Sequence, residues 1–128
     1  MKALILSLLV VLSTGLFAQD ANDHCLTPEE QKLYEAVNKY RKSKGLKAIP
    51  LSKSLSYVAH EHVLDLENNL KEVTHAWSSC KYSGSNSKTW PCMWEKPAEM
   101  TDYKGNGYEC AHGGVGGYVA TAESSLKK

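Results

Sequence analysis

The sequence predicts one small exported domain, helical in its first half and built of long tryptophan- and glycine-rich loops in its second. Three observations carry that expectation: an apolar leader, a helical apolar period between residues 27 and 70, and a collapse of aliphatic content after Val73. Leu26 to Val73 holds thirteen Leu, Ile and Val residues, whereas the 55 positions that follow hold three, Val115, Val119 and Leu126. No strand with sustained alternation can be drawn through that second half.

Residues 1–18 combine Lys2, a largely apolar run from Ala3 to Leu12 and a small residue at Ala18. That is the pattern of a secretory signal peptide; a membrane-spanning helix needs roughly 20 apolar residues. The expected product is therefore extracellular or periplasmic, with residues 19–26 as a short polar linker and 27–128 as the domain. Loss of Lys2 leaves 14 of the 15 basic residues against 14 acidic ones. A neutral chain without a basic cluster argues against nucleic acid, which demands a positive footprint, and against an anionic membrane surface.

The first helix opens at Leu26-Thr27-Pro28-Glu29-Glu30, with Thr27 as N-cap, Pro28 in the first turn and Glu30 closing a capping box. Its apolar stripe is Leu33, Val37 and Tyr40, and Gly45 ends it. Pro50 holds Ile49 extended, and Ser52 caps a second helix that presents Leu55, Val58, Ala59, His62, Leu66 and Leu70 on one face before ending near Asn68-Asn69. Beyond Val73 come Trp77, Trp90 and Trp94 in Ser- and Gly-rich surroundings, Gly105-Asn106-Gly107, and the run Gly113 to Gly117, which is read as a flexible loop. Thr121 to Lys128 looks like a capped helix start.

Cys25, Cys80, Cys92 and Cys110 in an exported chain predict disulfides. Cys80 with Cys92 is favoured because it closes the polar segment between them, which leaves Cys25 with Cys110. Zinc competes poorly, since there is no Cys-x-x-Cys. Among the histidines, His60 and His62 are two apart on a helix and point about 200° apart, so they cannot share one ion. His62 faces inward, as a half-buried residue bonded to backbone or lining a cavity, and His60 is expected at the surface. His75 follows the second helix in Thr74-His75-Ala76-Trp77. Glu109 and His112 share a face if their segment is helical, and together with His75 they form a candidate site for a divalent ion such as Zn. No Gly-x-Ser-x-Gly occurs.

The segments Leu33 to Arg41 with its Asn38-Lys39-Tyr40-Arg41, Gly45-Leu46, Ile49-Pro50-Leu51 and Leu55 to His62 resemble the opening of the CAP superfamily, which groups cysteine-rich secretory proteins, antigen 5 and plant pathogenesis-related proteins. His75-Ala76-Trp77-Ser78 after the second helix, and Trp94 with Tyr103 to Glu109, resemble its bacterial secreted branch. The resemblance spans about residues 27 to 128. It implies an α/β fold, an α-β-α sandwich of which this chain would hold the N-terminal portion without the C-terminal strands. It also implies a groove in which His75 matches the first histidine and Glu109 the glutamate, with a divalent metal on that pair; the inward face of the second helix adds His62 to the candidate groove residues. The family's second groove histidine has no counterpart, and Cys110 stands where an aliphatic residue is expected.

The function so implied is binding of an extracellular small molecule, lipid or protein through a His/Glu-lined groove, without a settled catalytic activity. A metal-dependent hydrolase using His75 and Glu109 is the alternative from chemistry. A small disulfide-stabilised interaction protein without a site is the third.

Overall fold

In a computed structural model of the chain, residues 21–113 and 121–126 are described. The signal peptide expected at 1–18 and most of the glycine run from Gly113 to Gly117 lie outside them.

Helix α1 spans Pro28–Ser43 and begins as its sequence dictates. Thr27 Oγ1 accepts from Glu30 N at 3.3 Å, and Glu30 Oε2 accepts from Thr27 N at 2.6 Å, so two backbone donors left over at the helix start are satisfied reciprocally. The far end closes on Gly45, whose φ of 70° is a conformation that L side chains rarely adopt. Gly45 N donates to Lys42 O and Leu46 N to Arg41 O, each at 3.0 Å, satisfying carbonyls of the last turn. The extended link that follows is strapped to α1 by side chains. Asn38 pairs with both backbone groups of Ile49, accepting at 2.7 Å and donating at 3.1 Å; Tyr34 donates to Ile49 O at 3.0 Å and Arg41 to Lys47 O at 2.9 Å. The Asn-x-x-Arg pattern is thus a backbone clamp.

Helix α2, Lys53–Asp65, starts on Ser52, whose hydroxyl accepts from Leu55 N at 3.3 Å. It runs on through a wider π-type turn at Leu66–Leu70 and stops at Lys71, which takes a left-handed conformation. Three short helices follow, α3 at Pro91–Trp94, α4 at Lys96–Met100 and α5 at Ala122–Leu126. Helix α4 packs on α2 and α5 on α1.

Burial is sparse and centres on α2. Ala21, His24, Val58, His62 and Pro97 are buried, while Leu33 remains 38% and Tyr40 52% exposed, so the α1 stripe is only partly covered. Ala59, expected on the inward face, is exposed. The segment before Thr27 is no loose linker: a 3-10 turn at Ala21–Asp23 packs against α2 and sinks Ala21 and His24.

The described residues are helical and contain no sheet; their only β pairing is the isolated bridge between Trp77 and Cys80. The α/β expectation therefore narrows to a helical structure with long loops. The physical reason is compositional. With so few aliphatic residues past Val73 there is no alternating apolar face for a strand to bury, and single polar bonds secure the loops instead. Asp65 accepts from Ser78 N at 2.7 Å, Trp90 Nε1 donates to Ser83 O at 3.0 Å, and Gly107 N donates to Trp94 O at 2.7 Å.

Cys80 and Cys92 are bonded as expected. Cys25 and Cys110 are not; both are free and exposed. Burial alternates along Gly107, Tyr108, Glu109 and Cys110, half-buried then exposed, as in any extended segment. Because Glu109 turns inward, its neighbour Cys110 points to solvent, away from a partner.

Candidate functional site

The two histidines at the heart of the site come from different elements. His62 lies on the last full turn of α2, on the same face as Val58, and its side chain is 3% exposed. His75 lies in the loop after the π-type turn, and its side chain is 30% exposed. Glu109 joins them from the far side, 47 residues beyond His62 and 34 beyond His75.

Each carboxylate oxygen of Glu109 takes one imidazole. Oε1 stands 2.5 Å from His62 Nδ1 and Oε2 stands 2.6 Å from His75 Nδ1. His62 Nε2 is 2.8 Å from the carbonyl oxygen of Ala76. A carbonyl oxygen only accepts, so Nε2 carries a proton, and a carboxylate on the other side requires a proton on Nδ1 as well. His62 is therefore an imidazolium sandwiched between two acceptors and stacked on Trp77, with ring centres 4.5 Å apart and planes inclined by 17°. Its burial alone would depress the pKa, but the hydrogen bonds it donates to Glu109 and to Ala76 O outweigh that and raise it above its ordinary 6.5. Burial of Glu109 would likewise raise the carboxyl; the bonds from His62 and His75 reverse the sign and hold it below 4.5.

The local sequence places Glu109 through glycine. A β-carbon on Gly107 would stand 2.5 Å from Pro97 Cγ, closer than real contacts allow, so the chain passes the buried Pro97 ring only because Gly107 has none. That approach, with the Gly107 to Trp94 bond, sets the register that turns Glu109 inward.

His75 donates Nδ1–H to Glu109, which leaves Nε2 as a bare lone pair with no bond among the described residues. The ring lies edge-on to Tyr82, centre to centre 5.1 Å. It lines an open cleft of about 380 Å³ with Val73, Thr74, Tyr82, Ser83, Gly84 and Ala111. The opposite wall of that cleft belongs to the loop closed by Cys80–Cys92 and pinned by Trp90 on Ser83.

His62, His75 and Glu109, the three residues expected at the groove, thus meet. The helix that would put His112 on one face with Glu109 is not formed, since their segment is not helical. The ion expected on His75 and Glu109 fits this arrangement poorly. His62, with a proton on each nitrogen, has no lone pair to offer, which leaves two protein ligands where a resident zinc takes three or four. His60, expected at the surface, is half-buried and points the other way, its Nδ1 2.9 Å from Glu30 Oε1. No spacing rule links residues 30 apart, so that contact has no local signature in sequence. Among the described residues no helix is long and apolar enough to cross a membrane.

No family model, curated protein or solved structure matches the chain.

Proposed function

We propose that the chain is a secreted CAP-type protein that binds an extracellular ligand or partner through the cleft at His75, its helices forming the helical part of an α-β-α sandwich. One observation carries the reading: Glu109 orients His75 by its Nδ1 and leaves Nε2 free on a cleft wall. An imidazole fixed this way is a pre-oriented acceptor, and fixing it in advance lowers the entropy lost on binding. Among the described residues the cleft wall offers Thr74, Tyr82 and Ser83 beside it, with Val73 and Ala111 as the aliphatic lining. That lining suits a small polar molecule or a polar side chain of a protein partner better than a lipid tail, which needs a mostly apolar pocket.

The test is an NMR titration of the secreted protein, following the His75 and Tyr82 ring signals with methyl glycosides, short polar peptides and phosphatidylcholine vesicles in turn. Polar probes are expected to move both signals in the native protein and neither in His75→Gln. Movement by vesicles alone would sink the polar reading, and movement by none would sink the cleft as a binding site.

A further inference from the structure

On the opposite side of α2 from the cleft, three segments bring a second set of ligating groups together. His24 follows the 3-10 turn that packs on α2, Glu30 sits in the first turn of α1, and His60 lies in the middle of α2. Their ligand atoms all fall within 4.8 Å of one another. His24 is 5% exposed, and its Nε2 is the one buried side-chain nitrogen or oxygen among the described residues with no hydrogen-bond partner. A buried polar atom without a partner costs on the order of 1–3 kcal/mol and calls for an explanation. The ring is wedged between Tyr57, edge-on at 5.9 Å, and His60, tilted at 5.2 Å, so it cannot swing out to water without unpacking both.

Glu30 is held ready by the helix start. Its Oε2 accepts from Thr27 N at 2.6 Å, which leaves Oε1 toward His60 Nδ1 at 2.9 Å. The side chains of His60 and Glu30 are 31% and 30% exposed, so the outer side of the cluster is open to solvent.

We propose that His24, Glu30 and His60 form a binding site for one divalent transition-metal ion of the zinc class. Two imidazoles and a carboxylate are a donor set that such ions favour, and three protein ligands leave a fourth position for water on the open side. Around a tetrahedral ion with bonds of about 2.0–2.2 Å, ligand atoms stand roughly 3.3 Å apart. The Glu30–His60 pair opens by a few tenths of an ångström to admit the ion, and the three ligand atoms, already within 4.8 Å of one another, draw in around it. The ion enters where His60 now meets Glu30, the imidazole turning its lone pair to the metal and carrying its proton on the other nitrogen; acid, which protonates imidazoles and carboxylates, competes with it and weakens binding. Bound there, it ties the segment before α1 to both long helices and gives the stranded His24 nitrogen its partner.

Titration of the secreted protein with ZnCl2 by calorimetry is expected to show one equivalent bound and a raised Tm, with loss of affinity by about tenfold or more in His24→Gln and in His60→Gln, and no loss in His75→Gln or Cys25→Ser. Should either glutamine variant fold poorly, the native protein still decides the matter. Co2+ is expected to broaden the ring signals of His24 and His60 and to spare those of His62 and His75. No stoichiometric binding, broadening centred on His62 and His75, affinity unchanged in both glutamine variants, or affinity lost only in Cys25→Ser would each overturn the site. Because His75→Gln is scored in both this test and the cleft titration, failure here and failure of the cleft reading are separately visible.

Discussion

Two histidines, two residues apart on one helix, serve two clusters that are built alike and finished differently. His62 and His60 each meet a glutamate from outside α2, and each cluster adds a second imidazole. In the His62–Glu109–His75 cluster the buried His62 has a partner on each nitrogen, and His75 Nε2, without a bond among the described residues, belongs to the wall of an open cleft. In the His24–Glu30–His60 cluster the unsatisfied atom is buried. A free acceptor at the surface is ready to bind without costing stability, whereas one stranded inside is a standing cost until something occupies it. The same residue types thus leave an imidazole on a cleft wall on one side of the helix and a buried nitrogen without a partner among the described residues on the other.

The comparison breaks most visibly at Glu109. Glu109→Ala leaves a buried imidazolium facing one carbonyl, and a loss of about 3 kcal/mol is expected, at the low end for removing one partner of a buried pair because the Glu109 side chain is 27% exposed. His75→Ala removes a half-exposed partner and should cost under about 1 kcal/mol. Urea denaturation of the two variants measures the gap; equal losses would mean that His62 is not held as an ion. The same ion pair sets the pH profile. His62 has a raised pKa, so its contribution is complete below 6.5 and is lost as pH climbs through the raised value. Glu109 has a lowered pKa, so its contribution is complete above 4.5 and is lost as pH falls through the lowered value. Stability should therefore be greatest between these limits and decline on the alkaline side, and Glu109→Ala should flatten that decline.

The cleft depends next on the loop that faces His75. Cys80 and Cys92 are 12 residues apart, and closing a loop of that size is worth about 3 kcal/mol on the chain-entropy estimate, less where the reduced chain keeps structure. Removing the bridge with Cys80→Ser and Cys92→Ser should lower Tm and release the Tyr82 ring from His75, read as loss of its ring-current shift. The His24 cluster, on the other face of α2, should keep its affinity for zinc.

How much of this was legible in the chain depends on the reach of each interaction. Thr27, Pro28, Glu30, Gly45 and Ser52 announce their roles because caps and helix ends are settled within four or five residues. Cys80–Cys92 is legible for the same reason, as a short loop with polar contents. Pairings that span the fold are not. Cys25 and Cys110 were expected to join and do not, because the inward turn of Glu109 decides where Cys110 points. His75 and Glu109 were drawn together by their ligating chemistry and by resemblance, with no local pattern to fix the contact, while periodicity placed His62 on an inward face without naming its partner. His24 lay in a segment whose polar composition reads as linker; its burial follows from the Ala21–Asp23 turn docking on α2, where Lys53 donates to Asn22 O across 31 residues of sequence, a pairing that no local pattern encodes. The family likeness implied an α-β-α sandwich without its C-terminal strands, and the described residues are helical and hold no sheet, as the thinning of aliphatic residues past Val73 already suggested.

Gly107 offers a finer cut. Gly107→Ala forces a β-carbon against Pro97, a rigid buried ring, and should cost about 2 kcal/mol, within the range for overpacking. Because the chain must shift to relieve the contact, the His75 ring signal should move as well. Gly105→Ala meets the edge of the Tyr103 ring at 2.9 Å, a side chain that can rotate away, and should move His75 less. A reversal of that order would show that the register of Glu109 is set elsewhere.

The smallest expected effect separates the two clusters from the other end. Thr27→Ala removes the hydroxyl that accepts from Glu30 N and should cost about 1 kcal/mol, as lost N-caps do. It keeps the Thr27 backbone N–H that holds Glu30 Oε2, so the carboxylate stays in place beside His60. Helix stability and the second cluster should therefore part company: a lower Tm without metal, and a zinc affinity within a few-fold of the native protein. If instead zinc affinity falls with the cap, Glu30 is held by the helix turn as a whole and not by the single bond from Thr27, and the cluster shares the fate of the start of α1. The His62 cluster supplies the control, since no residue of the α1 cap touches it, and its pH profile should be the same with Thr27 or alanine at that position.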